Sequence, residues 1–361
     1  AQFQNLLVTG GCGFIGSNFI RHMLDETDYG GAVVNVDALT YAGSLENLKN
    51  LPAPERHLFV EGSITDRELI DKLFAEHKID TVIHFAAESH VDRSILNPGV
   101  FVDTNVVGTF VLLEAARRAW LVDKIVPLEQ CRFHHVSTDE VFGTLAPEDP
   151  PFQEDTPYAP RSPYAASKAA SDHFVRAYAE TYGLPVSISN CTNNYGPRQF
   201  PEKLIPLMIL NAVSGKALPI YGDGMQIRDW LYVDDHCEGI WKVATQGRPG
   251  ETYCIGGDNQ PPNIQIVKTI CAILDELLPD SEFVPHEQLI TYVTDRPGHD
   301  RRYDITIDKI NSELGWEPTH DLHRGLVDTI KWYLDNPQWI SAIVKHSDYD
   351  TWLNKNYGER K

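Results

Sequence analysis

The sequence predicts an α/β fold, a doubly wound parallel sheet joined to a smaller α+β region. Three observations carry that expectation. Apolar strand-like runs alternate with longer amphipathic runs through the first half of the chain. A glycine-rich stretch, Gly10-Gly11-Cys12-Gly13-Phe14-Ile15-Gly16, joins the first strand-like run to the first helix-like one. An acid, Asp37, closes the second strand-like run. Strands that are apolar on both faces need cover on both sides, and alternation with helices supplies it.

The elements follow in order. "NLLVTG" reads as a strand and "FIGSNFIRHML" as the helix after it, with "AVVNVD" the second strand and "HLFVEG" the third. A helical pattern from Asp66 to His77 leads into "DTVIHFAA", and a longer one runs from near Pro98 to about Trp120. "CRFHHVST" is the next strand. Ser162-Pro163 then opens a helix to about Tyr182, with serine as N-cap and proline in the first helical position. "LPVSISNC" is strand-like again. Beyond Asn194, proline and glycine become frequent, short elements mix, and amphipathic patterns close the chain near Leu322 to Val344. The expected division is residues 1–194 for the doubly wound domain and 195–361 mainly for a ligand-binding region, with a soft boundary across which segments can interleave.

Composition narrows the function classes. The 361 residues carry a formal net charge of -20. A nucleic-acid partner calls for a basic footprint, so that class is disfavoured. There is no run of about 18 uncharged apolar residues, which argues against a membrane span. The chain enters a strand pattern at Asn5, leaving no room for a signal peptide. The six cysteines are scattered without a C-x-x-C pair, which fits free thiols in a reducing cytoplasm. His134 and His135 are adjacent in a strand and therefore face opposite ways, so no metal site is expected.

The glycine stretch satisfies G-x-G-x-x-G from Gly11. Between a strand and a helix, such a loop lets backbone amides approach a pyrophosphate at a positive helix N-terminus. Asp37 suits the ribose 2′-hydroxyl of NAD and would repel the 2′-phosphate of NADP. The sheet is therefore of Rossmann type and the expected cofactor is NAD. Tyr164 and Lys168 lie four apart in the Ser162-Pro163 helix and share a face. A tyrosine of pKa ~10 is almost wholly protonated at neutral pH; an ammonium and a positive nicotinamide nearby favour the tyrosinate, which can take an alcohol proton as hydride leaves.

The loop from Thr9 to Gly16, the acid at Asp37 and the Tyr164-x-x-x-Lys168 pair resemble the extended short-chain dehydrogenase/reductase family, over essentially the whole chain. Further stretches resemble its nucleotide-sugar dehydratases: "DALTYAGSLENL", "HFAAESHVDRS", "VSTDEVFG", "SPYAASKAASDH", "NCTNNYGPRQFPEKLIPL", "GDGMQIRDWLYVDDH" and "DRPGHDRRYDI".

The stretch Ser137-Thr138-Asp139-Glu140 has two readings. One is a capping box, with Ser137 as cap and Glu140 three residues on, although Gly143 leaves room for only a short helix. The other is chemical. Oxidising a sugar hydroxyl acidifies the neighbouring C–H, and eliminating water from there needs a base and an acid. Two close carboxyls push their pKa values apart and can divide those tasks. Neighbouring strand residues face opposite sides, so the chain must leave extended geometry near Thr138 for both acids to face one sugar.

The resemblance implies a reaction: dTDP-glucose is dehydrated to dTDP-4-keto-6-deoxyglucose and NAD is regenerated each turnover. It implies Tyr164 as the base for the 4-hydroxyl, assisted by Thr138 and Lys168, with Glu140 taking the C5 proton and Asp139 protonating the C6 hydroxyl. It places Gly10, Gly13, Phe14, Ile15, Gly16, Asp37, Ala38, Leu39, Thr40, Ser63, Ile64, Phe85, Ala86, Ala87, Thr104, Lys168 and Asn194 around the cofactor. It places Ser89, Asn193, Lys203, Leu204, Pro219, Ile220, Tyr221, Arg228, Asn263, Asp295, Arg296, Pro297, Gly298 and His299 around the substrate, whose diphosphate needs cations gathered locally. Ser63 stands where the family usually carries an aspartate beside the adenine, and Phe142 stands for a frequent tyrosine. The resemblance also implies a homodimer, paired through the helices from about Pro98 and Pro163. The alternatives are a GDP-mannose or CDP-glucose dehydratase, a 4-epimerase, which needs no Asp139-Glu140 pair, and a non-catalytic NAD-binding sensor, which needs neither the acids nor Tyr164 and Lys168.

Overall fold

The computed structural model describes residues 3–295 and 299–346. Its strands are β1 (Asn5–Thr9), β2 (Ala32–Asp37), β3 (His57–Glu61), β4 (Thr81–His84), β5 (Arg132–Thr138), β6 (Val186–Cys191), β7 (Asn193–Tyr195), β8 (Leu218–Tyr221), β9 (Trp230–Tyr232), β10 (Thr252–Ile255) and β11 (Ile290–Val293). Seven of them form one sheet in the order β10-β6-β5-β4-β1-β2-β3, and every neighbouring pair is parallel. The strand order reverses between β1 and β4, so the loops that leave their carboxyl ends diverge and open a crevice there.

Both faces of the sheet are buried, as its apolar strands require. One core joins Leu7, Val34, Val82 and Phe133 to Trp120 and Val175; the other joins Leu6, Val8 and Ile83 to Phe19, Cys237 and Trp316. The chain's second half therefore returns to the sheet. The helix Val233–Gln246 packs against its opposite face, and β10 extends its edge beside β6. The remaining part is a separate core around Met208, Ile270 and Tyr333, with two parallel strand pairs, β11-β8 and β7-β9.

Local signals explain several boundaries. Asp66 caps the helix Arg67–His77 by accepting the Leu69 N–H. Ser162 accepts the Ala165 N–H, Pro163 follows it, and Gly183 in the left-handed region ends the helix Pro163–Tyr182. The long helical run differs from a plain α-helix. Pro98–Phe101 and Thr109–Arg117 are α-helical, whereas Val102–Gly108 and Arg118–Val122 are wider π turns. At Gly108 an added Cβ would lie 2.4 Å from Ile64 Cδ1, so glycine permits the close approach there. The run Pro98–Val122 is long and apolar enough to cross a membrane by length and composition, but half of its apolar window is buried in the fold, as in a core helix.

Candidate active site

The cofactor crevice is built by three loops. Gly10 has φ 72°, and a Cβ on it would meet the Ala86 backbone nitrogen at 2.7 Å; glycine answers both demands. Gly11 N–H donates to Asn35 Oδ1 at 3.1 Å and Cys12 N–H to Asp37 Oδ2 at 2.8 Å. Leu39 N–H donates to Asp37 Oδ1 at 2.8 Å, so each carboxylate oxygen is aimed by one amide and keeps lone pairs for further donors. Burial pushes Asp37 up, and those two amides pull it back. The helix Phe14–Asp25 starts at Gly13 with no side-chain cap and no acid in its first turn. An uncapped helix N-terminus beside a glycine loop fits a pyrophosphate, and an acceptor-only Asp37 fits ribose hydroxyls, so these residues fit NAD. Ala38 and Thr40 are exposed at the crevice rim, while Phe14, Ile15, Phe85, Ala86, Ala87 and Thr104 are partly buried. Ser63 Oγ lies 2.8 Å from Thr65 Oγ1, beside buried Ile64.

The acids stand where β5 ends. Thr138 is the last extended residue, and Asp139–Phe142 form a 3-10 turn. Thr138, not Ser137, caps that turn: its Oγ1 accepts the Glu140 N–H at 3.3 Å. Ser137 Oγ instead donates to Asp172 at 2.8 Å. Strand alternation has thus ended before the acids begin, and both come to Tyr164. Asp139 is 2% exposed, and its Oδ2 has no hydrogen-bond partner. Burial first, then the charges of Glu140 and Asp229, hold its carboxyl well above the ordinary range against Arg228 and the Thr138 hydroxyl. Burial and these two neighbouring charges therefore favour its protonated form.

Tyr164 is also buried, and its phenol is pushed well above its ordinary value by burial, Glu140 and Cys191, with the Thr138 hydroxyl opposing. The Lys168 ammonium donates to the Val136 carbonyl at 2.9 Å, and burial pulls it down while Asp172 raises it.

The residues expected around the substrate fall into two groups. Arg228 is buried, donates to the carbonyls of Ile227 at 2.7 Å and Asp300 at 2.9 Å, and lies 4.4 Å over the Tyr303 ring. It lies near enough to Asp139 to lower it. Asn193, on β7, pairs with Trp230 of β9 two residues past Arg228 and has a buried Oδ1 without a partner. The second group surrounds β8, which carries Pro219, Ile220 and Tyr221. Asp295 accepts from Gln226 at 2.9 Å and lies 2.6 Å from His299 Nδ1, whose ring meets Tyr221 edge-on at 6.0 Å. The Asn263 amide donates to Gln226, and its own Oδ1 is buried without a partner. Lys203 precedes the helix Leu204–Val213, Ser89 is exposed after β4, and Asn194 Oδ1 lies 2.8 Å from His236 Nδ1. Arg296, Pro297 and Gly298 lie outside the described residues.

His134 bonds Ser187 and Ser189, whereas His135 Nε2 lies 3.1 Å from Asp172, so the two rings face opposite sides of β5. Among the described residues, no group of three or more His, Cys, Asp or Glu side chains could hold a metal ion.

Residues 7–329 match the family profile described as GDP-mannose 4,6 dehydratase. The dTDP-glucose 4,6-dehydratase of Shigella flexneri is 53% identical over 366 residues, spanning 99% of this chain and 100% of the relative. The chain belongs to the dTDP-glucose 4,6-dehydratase family. Another relative of that name, from Neisseria meningitidis, is 55% identical over 95% of this chain and 97% of its own. The dTDP-glucose 4,6-dehydratase of Bacillus anthracis, solved in complex with NAD, superposes with TM-score 0.81 at 44% identity, covering 94% of this chain and 99% of the other. A UDP-glucose 4-epimerase from Thermotoga maritima is 29% identical with TM-score 0.79, covering 92% of this chain and 100% of its own. The fold is thus shared with epimerases.

Sequence reasoning missed several groups in this dehydratase-family site. Asn35 holds the glycine loop, Asp229 and Tyr303 adjoin the acids, and Asp172 lies beneath Lys168. A signal existed for Asp172, which repeats the four-residue step from Tyr164 to Lys168.

Proposed function

We propose that this chain is an NAD-dependent dTDP-glucose 4,6-dehydratase, which converts dTDP-glucose to dTDP-4-keto-6-deoxyglucose and water. The observation that carries this reading is the buried Asp139, whose surroundings push its carboxyl toward the protonated form, beside Glu140 on the turn that faces Tyr164. A plain dehydrogenase or an epimerase has no task for such a pair. Bound NAD accepts hydride from C4 and returns it to C6. Tyr164 takes the proton of the 4-hydroxyl, which the Thr138 hydroxyl helps to hold. The ketone acidifies C5–H, Glu140 removes that proton, and Asp139 donates its proton to the departing C6 hydroxyl. A proton then returns to C5 as hydride reaches C6. Arg228, Lys203 and His299 are the cationic or donor groups for the diphosphate of an anionic substrate in an otherwise acidic chain. The whole-length relatives named for dTDP-glucose support thymine as the base.

The test is incubation with dTDP-glucose in heavy water without added NAD. The expected product is the 4-keto-6-deoxy sugar, with solvent deuterium at C5 and the original C4 hydrogen at C6. The 4-epimer alone, or no turnover even with NAD supplied, would overturn the reading.

A reducing cytoplasm suits the protein, since its cysteines, all buried and free, are stable there as thiols. It pairs as a homodimer through the helices of Pro98–Val122 and Pro163–Tyr182. Val100, Val107, Phe174 and Tyr182 on these helices are exposed, and the Phe110 and Phe174 rings join them at 6.4 Å. An apolar surface formed by two neighbouring helices suits a second copy of itself. Sedimentation should give twice the chain mass, and Phe174→Glu should shift it toward the monomer; a wild-type monomer would refute the pairing.

A further inference from the structure

Beneath the active site lies a charged group that the reaction does not use. Asp172 is fully buried, eight residues after Tyr164 and four after Lys168, so the three side chains stack along one face of the helix Pro163–Tyr182. Its neighbours come from every element packed around it. From β5, Ser137 Oγ donates to Oδ2 at 2.8 Å, and His135 Nε2 lies 3.1 Å from Oδ1. From the preceding loop, the Tyr158 hydroxyl donates to Oδ2 at 2.7 Å and in turn accepts from Arg176 at 2.8 Å. On its own helix, Ser171 Oγ and Lys168 Nζ lie 3.3 and 3.4 Å from the same His135 nitrogen.

The proton positions follow from these contacts. A carboxylate only accepts, so the tautomer that suits Asp172 carries its proton on His135 Nε2, 3.1 Å from Oδ1, while Oδ1 and His135 Nδ1 make no other contact of hydrogen-bond geometry. Burial and the Lys168 charge hold His135 down at about 4, so the ring is neutral. Burial pushes Asp172 up, but His135, Lys168 and Tyr158 outweigh it, and the group stays ionised. The full negative charge below Lys168 is therefore Asp172.

We propose that Asp172 is a positioning residue of this site: His135 Nε2 stands between its carboxylate, at 3.1 Å, and the Lys168 nitrogen, at 3.4 Å, so that Asp172 fixes the ring against which the Lys168 ammonium rests, and through Ser137 it ties the helix bearing Tyr164 and Lys168 to the strand end bearing Thr138, Asp139 and Glu140. It touches neither substrate nor cofactor. It sets the geometry between the groups that oxidise C4 and the groups that eliminate water. The inference rests on the dehydratase reading for its catalytic consequence, but not for the pairing itself.

Two measurements on the full-length holoenzyme test it. The first is the pH profile of kcat/KM for Asp172→Asn. An ammonium without its counter-charge deprotonates earlier, so the alkaline limb should move down by about one pH unit, a tenfold loss on that limb. Asp172→Glu should bring it back. An equal loss at every pH, with the limb unmoved, would overturn the proposal. The second needs no substrate and stands if the single variant does not fold. Removing one of two opposite buried charges that flank His135 leaves the other uncompensated, whereas neutralising both does not. Lys168→Met/Asp172→Asn should therefore melt at or above Lys168→Met alone. A double variant that melts below it shows a role independent of Lys168 and sinks the idea. Failure of the wild-type heavy-water experiment with the melting order intact would instead fault the dehydratase reading.

Discussion

Glu140→Gln is expected to lower solvent deuterium exchange at C5 by about 10²–10⁴-fold, while initial reduction of bound NAD by dTDP-glucose falls less than about tenfold. The amide keeps the side chain's size but cannot take a proton, and the cap on the turn uses the Glu140 backbone N–H rather than its carboxylate. The Glu140 charge also pushes up both Asp139 and Tyr164. Its removal makes the phenol easier to ionise, so the oxidation half has no reason to slow in parallel. Rapid mixing that follows NADH absorbance, together with mass spectrometry of recovered sugar, separates the two steps. Equal losses in both would remove Glu140 from its assigned task.

Tyr164→Phe should lower the first hydride transfer by about 10²–10⁴-fold, and C5 exchange should disappear with it because the ketone never forms. Phenylalanine preserves the ring's edge contact with Phe101 at 6.3 Å, so folding and NAD content should hold. The structure also sets a direction. The phenol sits well above its ordinary value through burial, Glu140 and Cys191, and the Thr138 hydroxyl is the group that lowers it. The positive charge of an oxidised nicotinamide acts in that same direction. Fast reduction of NAD by the Phe variant, measured in a single turnover, would contradict Tyr164 as the base.

These effects were unevenly legible in the chain. The glycine loop, Asp37 and the helix at Ser162-Pro163 stood out because each depends on local chemistry: a positive φ, an acid at a strand end, a cap followed by proline. The strand read from "DTVIHFAA" ends at His84, because the Ala86 N–H turns to the Thr9 hydroxyl at 3.2 Å instead of continuing the ladder. The π turns at Val102–Gly108 and Arg118–Val122 had no signature, since packing against other elements decides which carbonyl an amide reaches. The return of β10 to the sheet was hidden for the same reason. At the site, the adjacency of Asp139 and Glu140 could be read, but not their charge states. Those depend on Asp229 and Arg228, far along the sequence, and on a burial that only the assembled fold provides.

The orphaned oxygen of Asp139 has one more consequence. A buried polar atom without a partner weakens the folded state. Selection for heat resistance and selection for turnover therefore pull in opposite directions at this position. A library of variants ranked by melting temperature alone would favour discarding the carboxyl that releases water, and an engineer seeking a hardier protein should leave the end of β5 untouched and look elsewhere in the sheet.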